Sequence, residues 1–141
     1  MTTSASAVLD QLVSVIDGIT NCDATKYGYD ILETTTSLYA FHVEPSEGDN
    51  ERGGFGNLPY HQNMDFMAHG FIRLESDPKA YHTARVTLID AMNTTFDNDQ
   101  TLSGTCEGAY VARWSFPDVE LDVHGVIWQP VDFTIRCLIL N

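Results

Sequence analysis

Tyr110-Val111-Ala112-Arg113-Trp114-Ser115-Phe116, Val119-Glu120-Leu121-Asp122-Val123-His124 and Val131-Asp132-Phe133-Thr134-Ile135-Arg136-Cys137-Leu138-Ile139 follow one another in the last third of the chain. In each run one set of alternate positions is apolar. Successive side chains of a strand point to opposite faces, so each run reads as a strand with one greasy face. Pro117-Asp118 and Gln129-Pro130 separate the runs, and short turns between period-two segments predict an antiparallel meander.

Upstream, Asp77-Pro78 pairs a capping carboxylate with a proline at the first helical position. The helix this predicts runs over 78–96 and buries Tyr81, Ala84, Leu88, Met92 and Phe96, with Asp97-Asn98-Asp99 ending it. Residues 64–75 read as a strand, with Phe66, Ala68, Ile72 and Leu74 on one side. Over 36–44, Tyr39, Phe41 and Val43 alternate with Leu38, Ala40 and His42, the pattern of a strand buried on both faces. Between them, 45–63 holds four of the ten glycines and two of the five prolines and reads as one long loop. Residues 21–35 are polar and carry no clear period. Val8, Leu12, Val15, Ile16 and Ile19 recur at helical spacing over 5–19, with Ser4 or Ser6 as cap and Gly18 at the exit. The sum is an α+β fold: one domain over 1–141, a mainly antiparallel sheet of about five strands, and two covering helices.

The 141 residues are 43% hydrophobic, which suits one packed domain. Twenty Asp and Glu against seven Lys and Arg give a formal net charge of -13. A reader of DNA or RNA sequence needs a basic patch, and seven dispersed cations do not make one. The longest apolar runs fall short of the roughly 18–20 residues that span a bilayer, and the small polar residues 1–7 do not read as a secretory signal. Three widely spaced cysteines, Cys22, Cys106 and Cys137, with no CxxC, predict reduced thiols rather than a disulfide framework or zinc ribbon.

Motifs of catalysis are missing or broken. Gly53-Gly54-Phe55-Gly56 is too short for a phosphate loop and lacks the following Lys-Ser/Thr. His42, His61, His69, His82 and His124 are scattered; His42 and Glu44 match half of a zinc deaminase signature, but no Pro-Cys-x-x-Cys follows. Asp97-x-Asp99-x-Thr101 begins like a calcium loop, yet Leu102 occupies the position that needs glycine. Glu47, Asp49 and Glu51 form an acidic cluster best read as solvated. No catalytic, cofactor-binding or metal-binding residue is assigned.

After the 78–96 helix comes Asp99-Gln100-Thr101-Leu102-Ser103-Gly104-Thr105-Cys106, then Gly108–Trp114 and the closing pair 119–128 and 131–140. This resembles the tail terminator (tail completion, head-to-tail joining) proteins of long-tailed bacteriophages, in which a D-x-T-L-x-G turn links the second helix to a terminal meander. In architecture the resemblance covers 5–140, and in residue pattern 99–140. The chain departs from the commonest pattern in its acidic, glycine-rich 45–63 segment and in Ser103, where glycine is frequent.

The resemblance implies a non-enzymatic ring, usually a hexamer of the chain with itself. Such a ring sits on the tail tube protein at the head-proximal end, stops polymerisation, and offers a surface to the head connector or head-closure protein. It would belong to the virion and be assembled in the host cytoplasm, with no membrane and no cofactor. DNA would pass through the channel without specific binding, and surplus carboxylates would repel its phosphates at short range. A closed ring needs a heterologous contact, one patch against a different patch of the neighbour. Phe55, Leu58 and Tyr60 are of the type enriched at interface centres. Together with Glu47, Asp49, Glu51 and Arg52 they form the candidate interface with a subunit or tail partner. Two other readings are a different neck or minor tail component of head-closure type, and a small ligand-binding or enzymatic α+β domain with its site between sheet and helices.

Overall fold

The first helix, α1 (Ala5–Asp17), starts where the Ala7 amide donates to Ser4 Oγ at 3.1 Å and stops at Gly18. It buries Val8, Leu12 and Ile16. The computed structural model describes residues 4–52, 60–74 and 77–140. After α1 come β1 (Cys22–Thr25), a one-turn helix α2 (Ile31–Thr34), β2 (Tyr39–Arg52) and β3 (Tyr60–Arg73). Then follow α3 (Pro78–Asn98), β4 (Gly108–Ser115), β5 (Leu121–Val123) and β6 (Val126–Leu140). The architecture is mixed α+β with a mostly antiparallel sheet, in the order β1-β2-β3-β6-β4, and β5 also pairs with β6.

Both long helices lie on one face of the sheet. Val8, Leu12 and Ile16 of α1 and Ala84, Leu88, Met92 and Phe96 of α3 close over Tyr39, Phe41, Val43, Phe66, Ala68, Ile72 and the odd-numbered residues 131–139 of β6. Asp77 caps α3 as expected, accepting from the Lys79 amide at 3.0 Å with Pro78 at the first position. The opposite face carries a smaller apolar cluster of Leu32, Ala40, Phe71 and Trp128, flanked by Ile31, Val123 and Val126. That cluster covers only one end of the sheet.

Several expectations are corrected. The sheet has six strands and the described chain three helices, because the polar stretch 21–35 holds β1, parallel to β2, and the single turn α2. The 45–63 segment is not one loop: β2 continues to Arg52 and β3 begins at Tyr60, paired from Glu47↔Asp65 to Arg52↔Tyr60. Pro45 survives in the strand because β1 pairs β2 only over Tyr39–His42, so its side of β2 is a sheet edge that needs no donor. The last three strands are not a meander. β4 and β5 share one edge of β6, whose other edge pairs with β3 from Trp128 to Leu140.

The turn, too, lies elsewhere. β6 runs straight through Gln129-Pro130, and the reversal is the two-residue loop His124-Gly125, with φ of 52° and 84°. Pro130 falls between Trp128, the last partner of β5, and Asp132, the last partner of β4, where no amide hydrogen is required on that edge. Finally, a bulge between Val111 and Arg113 breaks the alternation of 110–116. Tyr110 therefore faces Arg136 on one side of the sheet while Trp114 pairs with Phe133 on the other, and both are exposed.

Candidate functional site

The distal half of the face opposite the long helices is uncovered, and its residues follow from register. Glu44, Glu47 and Asp49 of β2 share it because the bulge between Pro45 and Glu47 resets the alternation. Asp65, Met67 and His69 of β3 lie beside them, then Asp132, Thr134 and Arg136 of β6, then Tyr110 of β4. Arg136 grips Asp65 through two contacts, Nε–Oδ1 at 3.0 Å and Nη2–Oδ2 at 3.1 Å. With Glu47, Gly48, Asp49 and Asn63 this pair lines an open hollow of about 390 Å³.

Of the candidate interface residues, Glu47 and Asp49 are exposed on this face, and Asn63 Nδ2 donates to Asp49 at 3.0 Å. Glu51, Arg52 and Tyr60 contribute backbone to the ends of β2 and β3. Phe55 and Leu58 lie outside the described residues. Within the segment, the described residues 45–52 and 60–63 are strand rather than irregular loop.

Next to the hollow lies a polar row that sequence spacing alone did not join. His42 and His69 are cross-strand partners with rings stacked 5.9 Å apart. The Gly28 amide donates to His42 Nδ1 at 3.2 Å, so Nε2 carries the proton, which it offers to Glu44 Oε2 at 3.3 Å. His69 Nε2 meets Glu44 Oε1 at 2.8 Å and its Nδ1 meets Asp132 Oδ1 at 2.9 Å. Two carboxylate acceptors call for two ring protons, the imidazolium form. Burial alone would lower the His69 pKa, but the hydrogen bonds its ring donates to Asp132 and Glu44 outweigh it and hold the pKa above the ordinary 6.5. The His69 bond, helped by His42 and opposed by partial burial, holds the Glu44 carboxyl below its ordinary 4.5. Tyr29 lies edge-on to His42 at 5.2 Å and to Phe71 at 5.6 Å. As arranged, each ring nitrogen is engaged within the chain, and the row anchors the 26–30 segment to the sheet. Its visible sequence signal was the period-two pair His42 and Glu44; His69 and Asp132 join only through the register of β2, β3 and β6.

The Asp99–Cys106 stretch is a tightly bonded turn. Asp99 Oδ1 accepts from the Ser103 amide at 2.9 Å, and Thr101 takes the Gly104 amide on both its carbonyl and its Oγ1. Leu102, Ser103 and Gly104 have φ of 49°, 57° and 86°, a run of left-handed backbone, and Leu102 is fully buried in the main core. Cys22, Cys106 and Cys137 are buried free thiols, and burial pushes that of Cys22 up to about 12. Among the described residues no group of His, Cys, Asp and Glu is arranged to hold a metal ion, and no helix is long and apolar enough to cross a membrane. No protein-family model matches the chain, and no curated protein matches it significantly.

Proposed function

We propose that the chain is a structural protein of a phage tail, forming a ring at the head-proximal end of the tail tube that ends polymerisation and joins the tail to the head connector. The observation that carries this reading is the Asp99-x-Thr101-Leu102-x-Gly104 turn between α3 and β4. Every residue of that pattern is put to use in the turn. Asp99 and Thr101 take turn amides, Leu102 fills the core, and Gly104 adopts positive φ. The same short pattern carries the family resemblance. The uncovered sheet face, which the β2–β3 hairpin carries, and the outer face of α3 supply two distinct surfaces, as heterologous ring closure requires. A net charge of -13 suits a channel that passes DNA without holding it.

Light scattering of the purified chain, alone and with polymerised tail tubes, tests the reading. The expected result is a closed oligomer, free or on tube ends visible by electron microscopy. A monomer at all concentrations that ignores tube ends would overturn it.

A further inference from the structure

We propose that the distal β2–β3 hairpin of one copy docks on the first turns of α3 (Pro78–Ile89) of the next, so that copies join head to tail. This rests on the ring-forming reading and names its contact. A chain with a formal charge of -13 repels its own copies, so self-association needs a surface where cations locally prevail. Most described cations are engaged with polar partners within the chain: Lys26 pairs with Asp10, Arg136 pairs with Asp65, Arg73 donates to the Thr35 carbonyl, and Arg113 reaches Thr134. The outer face of α3 differs. It carries Lys79 and Arg85 with no Asp or Glu from Pro78 to Ile89; Asp77 and Asp90 stand at its two ends, and Glu120 borders it near Tyr81.

Lys79 and His82 are exposed and make no ion pair among the described residues. Beside them Val86 is 45% exposed, and the Arg85 guanidinium lies 4.2 Å over the Phe116 ring. The centre of the patch therefore joins the cations Lys79 and Arg85 to apolar surface, a mixture that suits a protein contact. On the hairpin, Glu47 and Asp49 are exposed, and Asp65 is already neutralised by Arg136. The two surfaces are opposite in charge.

They are also opposite in position. β3 runs from Tyr60, where its pairing with β2 ends, to Arg73, about 45 Å at the usual rise per residue, and α3 begins at Pro78 just beyond that far end. α3 then returns toward the hairpin: after its end, the Glu107 amide donates to Leu138 O at 2.8 Å, and Leu138 pairs with Asn63. A contact between the two ends repeats in one direction from copy to copy, as a heterologous interface must.

Charge reversal in the full-length chain tests this. E47K/D49K reverses the hairpin and K79E/H82E reverses the helix; all four side chains are exposed, and Asp77 still caps α3. Each variant alone, checked for folding by circular dichroism, is expected to stay monomeric under conditions where the wild type forms rings. An equimolar mixture should restore rings in which the two variants alternate, because reversed hairpin then meets reversed helix at one contact and unaltered hairpin meets unaltered helix at the next. Should a reversal unfold the chain, E47Q/D49N and K79Q carry the test, each weakening association at least tenfold. Rings that persist in either variant, or a mixture that fails to recover them, overturn the docking contact and leave the ring reading standing. A wild type that never oligomerises, alone or on tubes, removes both.

Discussion

At the scale of single residues, Gly70 marks where packing leaves no slack. It sits on β3 between Phe41 of β2 and Val131 of β6. A Cβ there would stand 2.5 Å from Phe41 Cε1 and 2.8 Å from Val131 Cγ1. Phe41 is fully buried and rests 6.0 Å from Phe133, so its ring has little room to withdraw. Gly70→Ala is expected to cost about 1–3 kcal/mol, the usual range for an overpacked core, read by urea unfolding. An unchanged midpoint would mean that the Phe41 ring moves freely. His69 gives a second test, in pH. Its pKa is raised on folding, so its contribution is complete below the ordinary 6.5 and fades as pH climbs through the folded value. Glu44 is lowered on folding, so its share is complete above the ordinary 4.5 and fades in acid. The row stabilises most between those values. Glu44 is half exposed, which limits the gain, and His69→Gln should cost about 1 kcal/mol near pH 6. Unfolding of wild type and variant at pH 6 and at pH 8.5 checks the sign: the gap must narrow at the higher pH.

At the scale of elements, the turn after α3 concentrates strain and burial in one side chain. Leu102 is fully buried yet holds φ of 49°, a conformation that costs a non-glycine residue about 1 kcal/mol. Leu102→Ala should lose about 2–5 kcal/mol through the cavity it leaves, measured by denaturant unfolding. Leu102→Gly should be no worse than alanine, because relief of the left-handed strain offsets the usual glycine penalty. A glycine variant markedly less stable than alanine would contradict that balance. The same element shows what sequence could reveal. α3 was legible because Asp77-Pro78 and the spacing of Ala84, Leu88, Met92 and Phe96 are local signals. α1 was legible for the same reason. The β2–β3 hairpin was not, since Pro45, Gly48 and four acidic residues over 44–51 disfavour a strand locally, while pairing with β3 across the chain imposes one. Gln129-Pro130 misled for a related cause: proline signals a turn unless its missing donor falls in a gap between partners, and that gap belongs to tertiary structure. The polar row was half legible. His42 and Glu44 announce themselves by spacing, whereas His69 and Asp132 stand 63 residues apart and meet only through register.

At the scale of the whole molecule, charge sets the terms on which copies meet. Each chain carries a formal -13, and the outer face of α3 holds Lys79, an exposed cation with no ion pair among the described residues. Two electrostatic effects then compete with different ranges. Repulsion between whole subunits acts over the Debye length, about 30 Å at 0.01 M salt but only about 8 Å at 0.15 M. Pairing of Glu47 and Asp49 with the α3 cations acts within a few ångströms and outlasts that screening better. In the proposed ring the long-range term would involve the full charge of every neighbour, so it should dominate at low salt. Oligomer formation is therefore expected to rise as salt increases from 0.01 to 0.15 M, followed by sedimentation velocity at fixed protein concentration. E47Q/D49N should show weaker association than the wild type at 0.15 M even though it repels less, because the loss of two contact charges outweighs the relief of net charge. If association instead fell steadily from the lowest salt upward, local ion pairs would be the chief attraction and subunit repulsion a minor effect. If the neutralised variant associated more strongly than the wild type, the hairpin carboxylates would be a hindrance to assembly, and the contact between copies would have to lie elsewhere on the sheet.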